Sequence, residues 1–178
     1  MNRCYIANLR DPNSPQDAAT KNYVDTTKKK CYCGYIPNII SNANRSAFIA
    51  SASSEYSSSY IAAYAFYSTG NEWATASINT NFWIKIQCPD NVVVWKFSLR
   101  GRNSNIERIY NWKMQGSSDN NAWSDLYTAT NDYLGDVTKN YDISTTNTTA
   151  YNYYRLFIVQ AETGNPGLSY MQLFVCSN

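Results

Sequence analysis

From Tyr35 onward the chain reads with a period of two. Phe82, Ile84 and Ile86 straddle Lys85, and Val93, Trp95, Phe97 and Leu99 alternate with Val94, Lys96 and Ser98. Tyr110, Trp112 and Met114 alternate with Asn111, Lys113 and Gln115, and Tyr154, Leu156 and Ile158 flank Arg155 and Phe157. Near the end, Met171, Leu173 and Val175 alternate with Gln172, Phe174 and Cys176. Successive side chains of a strand point to opposite faces, so each run predicts a strand with one face in a core. Cys88-Pro89-Asp90-Asn91, Gly101 to Asn105, Gly116 to Asn121 and Gly164-Asn165-Pro166-Gly167 carry the residues of turns and separate the runs. No helical period of useful length occurs beyond residue 35, and there is no internal repeat. Many short strands between polar turns predict an all-β sandwich or barrel.

The first 34 residues read differently. Ser14 is a good N-cap, Pro15 suits the first helical position, and Asp17 completes a capping box. Lys28, Lys29 and Lys30 lie at or beyond the C-terminal end, where cations favour a helix. A short helix is predicted over residues 14–25, too short to be stable without a partner surface. The expected organisation is therefore a segment over 1–34 and a β head over 35–178.

Composition narrows the function. Of 178 residues 16% are charged, and polarity comes instead from 22 Asn, 19 Ser and 14 Thr. Sixteen Tyr and five Trp exceed what a core of this size needs. A weakly charged surface rich in hydroxyls, amides and aromatic rings suits sugars better than nucleic acid. Net charge is +2, and residues 35–178 hold nine Lys/Arg against ten Asp/Glu, so the head has no electrostatic footprint for DNA or RNA. The absence of His removes Ser-His and Cys-His nucleophile pairs and imidazole zinc sites. No run approaches the ~18 apolar residues of a membrane span. Met1-Asn2-Arg3-Cys4 lacks a signal-peptide core. Carboxylates are scattered, with Asp90, Asp119 and Asp136 in turns, and no nucleophile elbow, phosphate loop or EF-hand spacing occurs, so no enzyme is expected. The five Cys are an odd number. At least one therefore stays free or pairs outside the chain; buried or spare thiols are the first reading, and a bridge from Cys31 or Cys33 to Cys176 is the alternative.

Two resemblances sharpen this. Ile6-Ala7-Asn8-Leu9, Asp11-Pro12 and Pro15-Gln16-Asp17-Ala18-Ala19-Thr20-Lys21-Asn22-Tyr23-Val24-Asp25 resemble a segment recurring in bacteriophage tail fibres and fibre-like proteins of large DNA viruses. That resemblance implies a link to a fibre or capsid, a homotrimer, and partners among other virion or fibre proteins. The order of landmarks in the head is a second pattern: Ser46 to Tyr56, Ala65-Phe66, Glu72-Trp73, Phe82 to Ile86, Trp112 to Trp123, Tyr153 to Leu156 and Leu173 to Cys176. It resembles the discoidin, or coagulation-factor C-type, domain of the galactose-binding-like superfamily. This implies a jelly-roll β-sandwich of about eight strands that binds glycans, lipids or cell-surface proteins. First and last strands of that fold lie side by side, which would bring Cys33 and Cys176 together as a candidate disulfide.

The same resemblance places a ligand site in the loops at one end. Arg102, with Asn103 and Asn105, stands where sugar-binding relatives keep an Arg on ring hydroxyls. Glu55 and Tyr56 in the first loop, and Asn165 and Tyr170 in the last, are further candidates. Calcium-holding relatives carry an Asp after the Ala-Phe pair and a Glu in the last strand. Tyr67 and Gln172 stand there instead, so no structural calcium and no other cofactor is expected. Trp73, Trp83, Trp95 and Trp112 read as core. The expected function is virion-surface attachment through host surface carbohydrate, on a particle made in host cytoplasm, without nucleic-acid binding or membrane insertion. The rival is a structural capsid or fibre component whose sandwich contacts other viral chains.

Overall fold

The alternations around Phe82 and Phe97 belong to one strand. A computed structural model describes residues 34–36, 48–66, 70–76, 79–104 and 106–176, with side chains from residue 48 to 175. Its elements are β1 (Gly34–Ile36), β2 (Ile49–Ala52), a one-turn helix α1 (Ala62–Ala65), β3 (Trp73–Ala74), β4 (Thr80–Gly101), β5 (Ile109–Ser117), β6 (Ser124–Ala129), β7 (Lys139–Asp142), β8 (Tyr151–Ala161) and β9 (Gly167–Cys176). The predicted helix over 14–25, and the division at residue 34, fall outside the described residues.

Strand β4 builds both layers of an antiparallel sandwich. Its first half lies between β2 and β8, and the sheet continues through β5 to β6. Its second half lies between β9 and β7, with β1 and β3 on the far side of β9. The crossing falls where the sequence carries Cys88-Pro89-Asp90-Asn91, expected to be a turn between two strands. The ladder with β8 there jumps from Gln87↔Tyr153 to Val92↔Tyr151. Pro89 has no N–H to give a ladder, and residues with turn chemistry also make bulges, so the strand bends and passes into the second sheet.

A second irregularity resets the phase of β4. Val94 pairs with Val175 and Lys96 with Phe174, which leaves Trp95 as the extra residue. Inward positions become Val94, Phe97 and Leu99, each fully buried. Trp95, expected in the core, instead turns outward and meets Phe174 edge-on at 5.9 Å. Trp83 is likewise half-buried on an outer face, whereas Trp73 and Trp112 are fully enclosed as expected. Backbone groups freed by the bends find side-chain partners. The Tyr154 hydroxyl donates to Val92 O at 2.5 Å, and buried Asn147 donates to Val94 O at 2.8 Å.

The core between the sheets collects the inward residues of the other runs: Phe82, Ile84 and Ile86, Trp112 and Met114, Tyr154, Leu156 and Ile158, Met171, Leu173 and Val175. Phe97 stacks on Tyr141 at 4.9 Å, and Trp112 meets Tyr141 edge-on at 5.0 Å. Cys88 lies buried in this core with its thiol pushed up to about 12 by burial. First and last strands lie side by side, as expected, with Gly34 opposite Val175. The Cys33–Cys176 bridge falls outside the described side chains.

Candidate functional site

Antiparallel pairing brings one set of connections to a single end of the sandwich: residues 53–60 after β2, 102–108 between β4 and β5, 130–138 between β6 and β7, and 162–166 between β8 and β9. Two glycines let backbones close on each other there. A Cβ on Gly167 would fall 1.9 Å from Trp73 O, and one on Gly101 would fall 2.2 Å from Leu134 O. A side chain at either place would force these loops apart.

Arg102 organises one side of this end. Its Nε donates to Glu72 at 2.7 Å, and its Nη1 donates to Glu107 at 2.8 Å and to Asn165 O at 2.6 Å. The guanidinium lies 5.3 Å from the ring centre of Tyr60. Its side chain is 16% exposed, so it is a fixed hub, where the sequence suggested a free loop donor. Its Nη2 has no hydrogen-bond partner among the described residues.

The other candidates divide. Asn165 braces the loops: its N–H donates to Glu107 at 2.8 Å and its Nδ2 to Thr75 O at 2.9 Å. Glu55 accepts the N–H of Ala62 at 2.7 Å, which holds the first turn of α1. Tyr56 is exposed and meets Tyr60 edge-on at 5.6 Å. Asn103 is exposed in the same loop as Arg102. Asn105 falls outside the described residues. Tyr170 does not belong to the last loop. It lies in β9, its hydroxyl bonded to Gln172 and its ring 5.9 Å from the Arg100 guanidinium. Gln172 is thus engaged by Tyr170, and Tyr67 is outside the described residues. Among the described residues no group of three His, Cys, Asp or Glu is placed to hold a metal ion. No described helix is long and apolar enough to cross a membrane.

A cleft of about 470 Å³, to which the loop of Arg102 contributes Ile106, is lined also by Asn79, Tyr110, Tyr133, Gln160, Ala161, Glu162 and Thr163. Tyr110 and Tyr133 stack at 5.1 Å, and Arg108 lies 4.8 Å from the Tyr133 ring centre. Arg108 is pinned by Glu162 through two bonds of 2.9 Å, and those bonds hold the Glu162 carboxyl below its usual range. Ile106 is 70% exposed at the rim. Stacked rings, an exposed aliphatic and the amides of Asn79 and Gln160 suit a ligand with one apolar face and several hydroxyls. Sequence reading missed Tyr60, Glu72, Glu107, Tyr110 and Tyr133 as site residues. Their one available signal was the aromatic excess near polar loops.

The fold and this loop-built site define a class, a discoidin-type β-sandwich with its candidate site at one end. Residues 49–173 match the profile of the F5/8 type C domain, and the chain belongs to that family. Comparison with curated proteins returned no match. Among solved structures, the chain is similar to CpGH89CBM32-5 from Clostridium perfringens, in complex with GalNAc-β-1,3-galactose. That likeness has 16% identity and a TM-score of 0.62, covering 72% of this chain and 96% of that one. It is similar to the family 32 CBM of C. perfringens NanJ, in complex with galactose, at 15% identity and TM-score 0.61, covering 72% and 94%. Chitosan-binding module 1 of a chitosanase/glucanase from Paenibacillus sp. IK-5 matches at 23% identity and TM-score 0.60, covering 71% and 94%.

Proposed function

We propose that the chain is a non-catalytic attachment protein of a virus or phage whose β-sandwich head binds host cell-surface carbohydrate through the loop end. The observation that supports this best is the pairing of a fixed, partly uncommitted guanidinium with aromatic rings. Arg102 keeps Nη2 without a partner among the described residues and lies 5.3 Å from the ring centre of Tyr60, which meets exposed Tyr56 at 5.6 Å, while the same loop contributes Ile106 to the Tyr110–Tyr133 cleft. A planar guanidinium suits adjacent sugar hydroxyls, and a tyrosine ring suits the apolar face of a pyranose. The structural neighbours solved with galactose and GalNAc-β-1,3-galactose favour the same ligand class. The viral part of the reading rests on the Ile6–Asp25 segment. In it residues 1–34 join the head to a fibre or capsid as a homotrimer, on a particle made in host cytoplasm. No calcium or other cofactor takes part.

A glycan array probed with the full chain tests the reading. Specific hits on neutral galactose-type glycans, lost in Arg102→Ala, support it. A blank array together with tight binding to other virion proteins overturns it in favour of a structural fibre or capsid role. Light scattering on the full chain should give a trimer, and a monomer at micromolar concentration would remove the fibre assembly.

A further inference from the structure

On the outer face of the β2-β4-β8-β5-β6 sheet two cations stand directly opposite each other. Lys85 on β4 pairs across the strands with Arg155 on β8. Like charges at such positions repel and are avoided unless something repays them. The row continues from Arg155 to Gln115 on β5 and Asp125 on β6. Arg155 Nε donates to Gln115 Oε1 at 2.7 Å, and Gln115 Nε2 donates to Asp125 at 2.5 Å. Asp125 also takes Lys113 at 2.6 Å. That carboxylate, at one edge of the face, is hydrogen-bonded to Lys113 and Gln115 and reaches Arg155 only through space, so it offsets part of the charge of two facing cations. Lys85 has the amide oxygen of Asn120, at 2.7 Å, as its hydrogen-bond partner. The two terminal nitrogens of Arg155 have none among the described residues. Burial together with the neighbouring guanidinium depresses the Lys85 pKa, as expected of a cation lacking a counter-charge.

Aromatic rings frame the cations. The adjacent row pairs Trp83 with Phe157, and the row on the other side carries Tyr153 opposite Gln87. Lys85 Nζ lies 4.9 Å from the Trp83 ring centre and 5.8 Å from that of Tyr153. The Arg155 guanidinium lies 4.0 Å from the Trp123 ring centre and 5.1 Å from that of Phe157. All of these side chains are half-buried, so each presents a surface to solvent. Rings beside a cation pair that Asp125 compensates only in part fit a ligand that is itself a ring bearing an anionic group. A nucleic acid would need a track of cations. Here the same face runs out into Ile49 and Val159, both exposed and uncharged.

We propose that the outer face of this sheet is a second binding site, separate from the loop end, for an acidic sugar. One carboxylate or sulfate is held between Lys85 and Arg155, and the pyranose lies against Trp83 and Phe157. The anion completes the counter-charge that Asp125 supplies to Arg155 but not to Lys85, and the free guanidinium edge gives it two parallel donors.

The test titrates the full chain calorimetrically with a glucuronide, a monosulfated galactoside and the matching uncharged galactoside. Lys85→Gln and Arg155→Gln are run alongside, with melting temperatures recorded. One or both acidic probes should bind, and each substitution should weaken that binding by about tenfold or more, as losing a charged hydrogen bond does. Uncharged galactoside binding at the loop end should stay as it was. A response to the glucuronide alone assigns a carboxylate, to the galactoside sulfate alone a sulfate, and to both the shared chemistry. Failure of both acidic probes to bind at millimolar concentration overturns the proposal, as does wild-type affinity in Lys85→Gln. Equal binding of heparin and DNA, lost with salt, would mean an unspecific cationic patch and also overturns it. Should Arg155→Gln fail to fold, Lys85→Gln decides. Because loop-end binding is read with the uncharged probe, either site can fail without the other.

Discussion

At the scale of single residues, Arg102 is the position whose role changed most. An exposed loop charge contributes little to folding, and the sequence offered no reason to treat Arg102 otherwise. Folding brings Glu72 across from thirty residues away and turns Glu107 back onto the same guanidinium. Arg102→Ala should therefore lower both sugar affinity and stability, each by about 1–3 kcal/mol, since two half-buried carboxylates lose their shared cation. Arg102→Lys should recover part of the melting temperature and little of the affinity, because an ammonium cannot span both carboxylates and still reach outward. Calorimetry and thermal melts on the two variants check this; unchanged melting in Arg102→Ala would contradict the hub. The position of Arg102 in a loop was thus legible from its neighbours Gly101, Asn103 and Ser104. Its partners were not, because contacts between residues far apart in the chain leave no local pattern. Tyr170 shows the converse: it sits near a turn signal, yet its strand had already begun at Gly167.

Among elements, β4 separates what alternation reveals from what it hides. Phe82, Ile84 and Ile86 face inward as the pattern says, and so do Trp112, Met114, Tyr154, Leu156, Ile158, Met171, Leu173 and Val175. Val93-Val94-Trp95 is apolar throughout, so a one-residue bulge inside it shifts the phase without changing the look of the sequence. Cys88-Pro89-Asp90-Asn91 was misread for a related reason, since a bulge and a turn draw on the same residues. The phase makes a measurable contrast. Phe97→Ala should cost ~3–5 kcal/mol by opening a cavity against Tyr141 and Trp112. Trp95→Phe should cost far less, or stabilise, because Trp95 Nε1 is enclosed without a hydrogen-bond partner among the described residues. Denaturant titration of both variants decides, and equal losses would place Trp95 back in the core. Gly167→Ala makes a separate case. Its Cβ would collide with Trp73 O, so β3 must leave β9. It should destabilise the head and abolish loop-end binding together.

At the scale of the whole molecule, titration behaviour follows from which groups the fold holds charged or neutral. Backbone N–H groups of Asn121 and Ala122 keep Asp119 below its usual range, Gln115 and Lys113 do so for Asp125, Ser144 for Asp142 and Arg108 for Glu162. A depressed carboxyl adds stability that is present above its ordinary pKa and lost as pH falls through the lower folded value. With no His in the chain, melting temperature should stay level between about pH 5 and 8 and fall below about pH 4. Buried Cys88, Tyr141 and Tyr154 are pushed upward by burial. Their neutral forms add stability that is complete below their ordinary values and lost as pH rises beyond them. A second decline should begin above about pH 9. Thermal melts from pH 3 to 11 check both limbs; a step near pH 6.5 would contradict the assignment.

The adjacency of β1 and β9 has a mechanical consequence. Gly34 of β1 and Val175 of β9 lie at the end of the sandwich remote from the loop end, since they face each other while Gly167 lies beside β3. A head anchored through its N-terminal side and gripped at its loops is loaded along the axis of β1. Tension then slides β1 lengthwise against β9, and its ladder bonds share the load at once. A pull directed sideways would open the same bonds one after another. A tether pulling at Gly34 against a hold on the loop end thus strains the strand pair in shear, the direction in which so short a ladder resists force best.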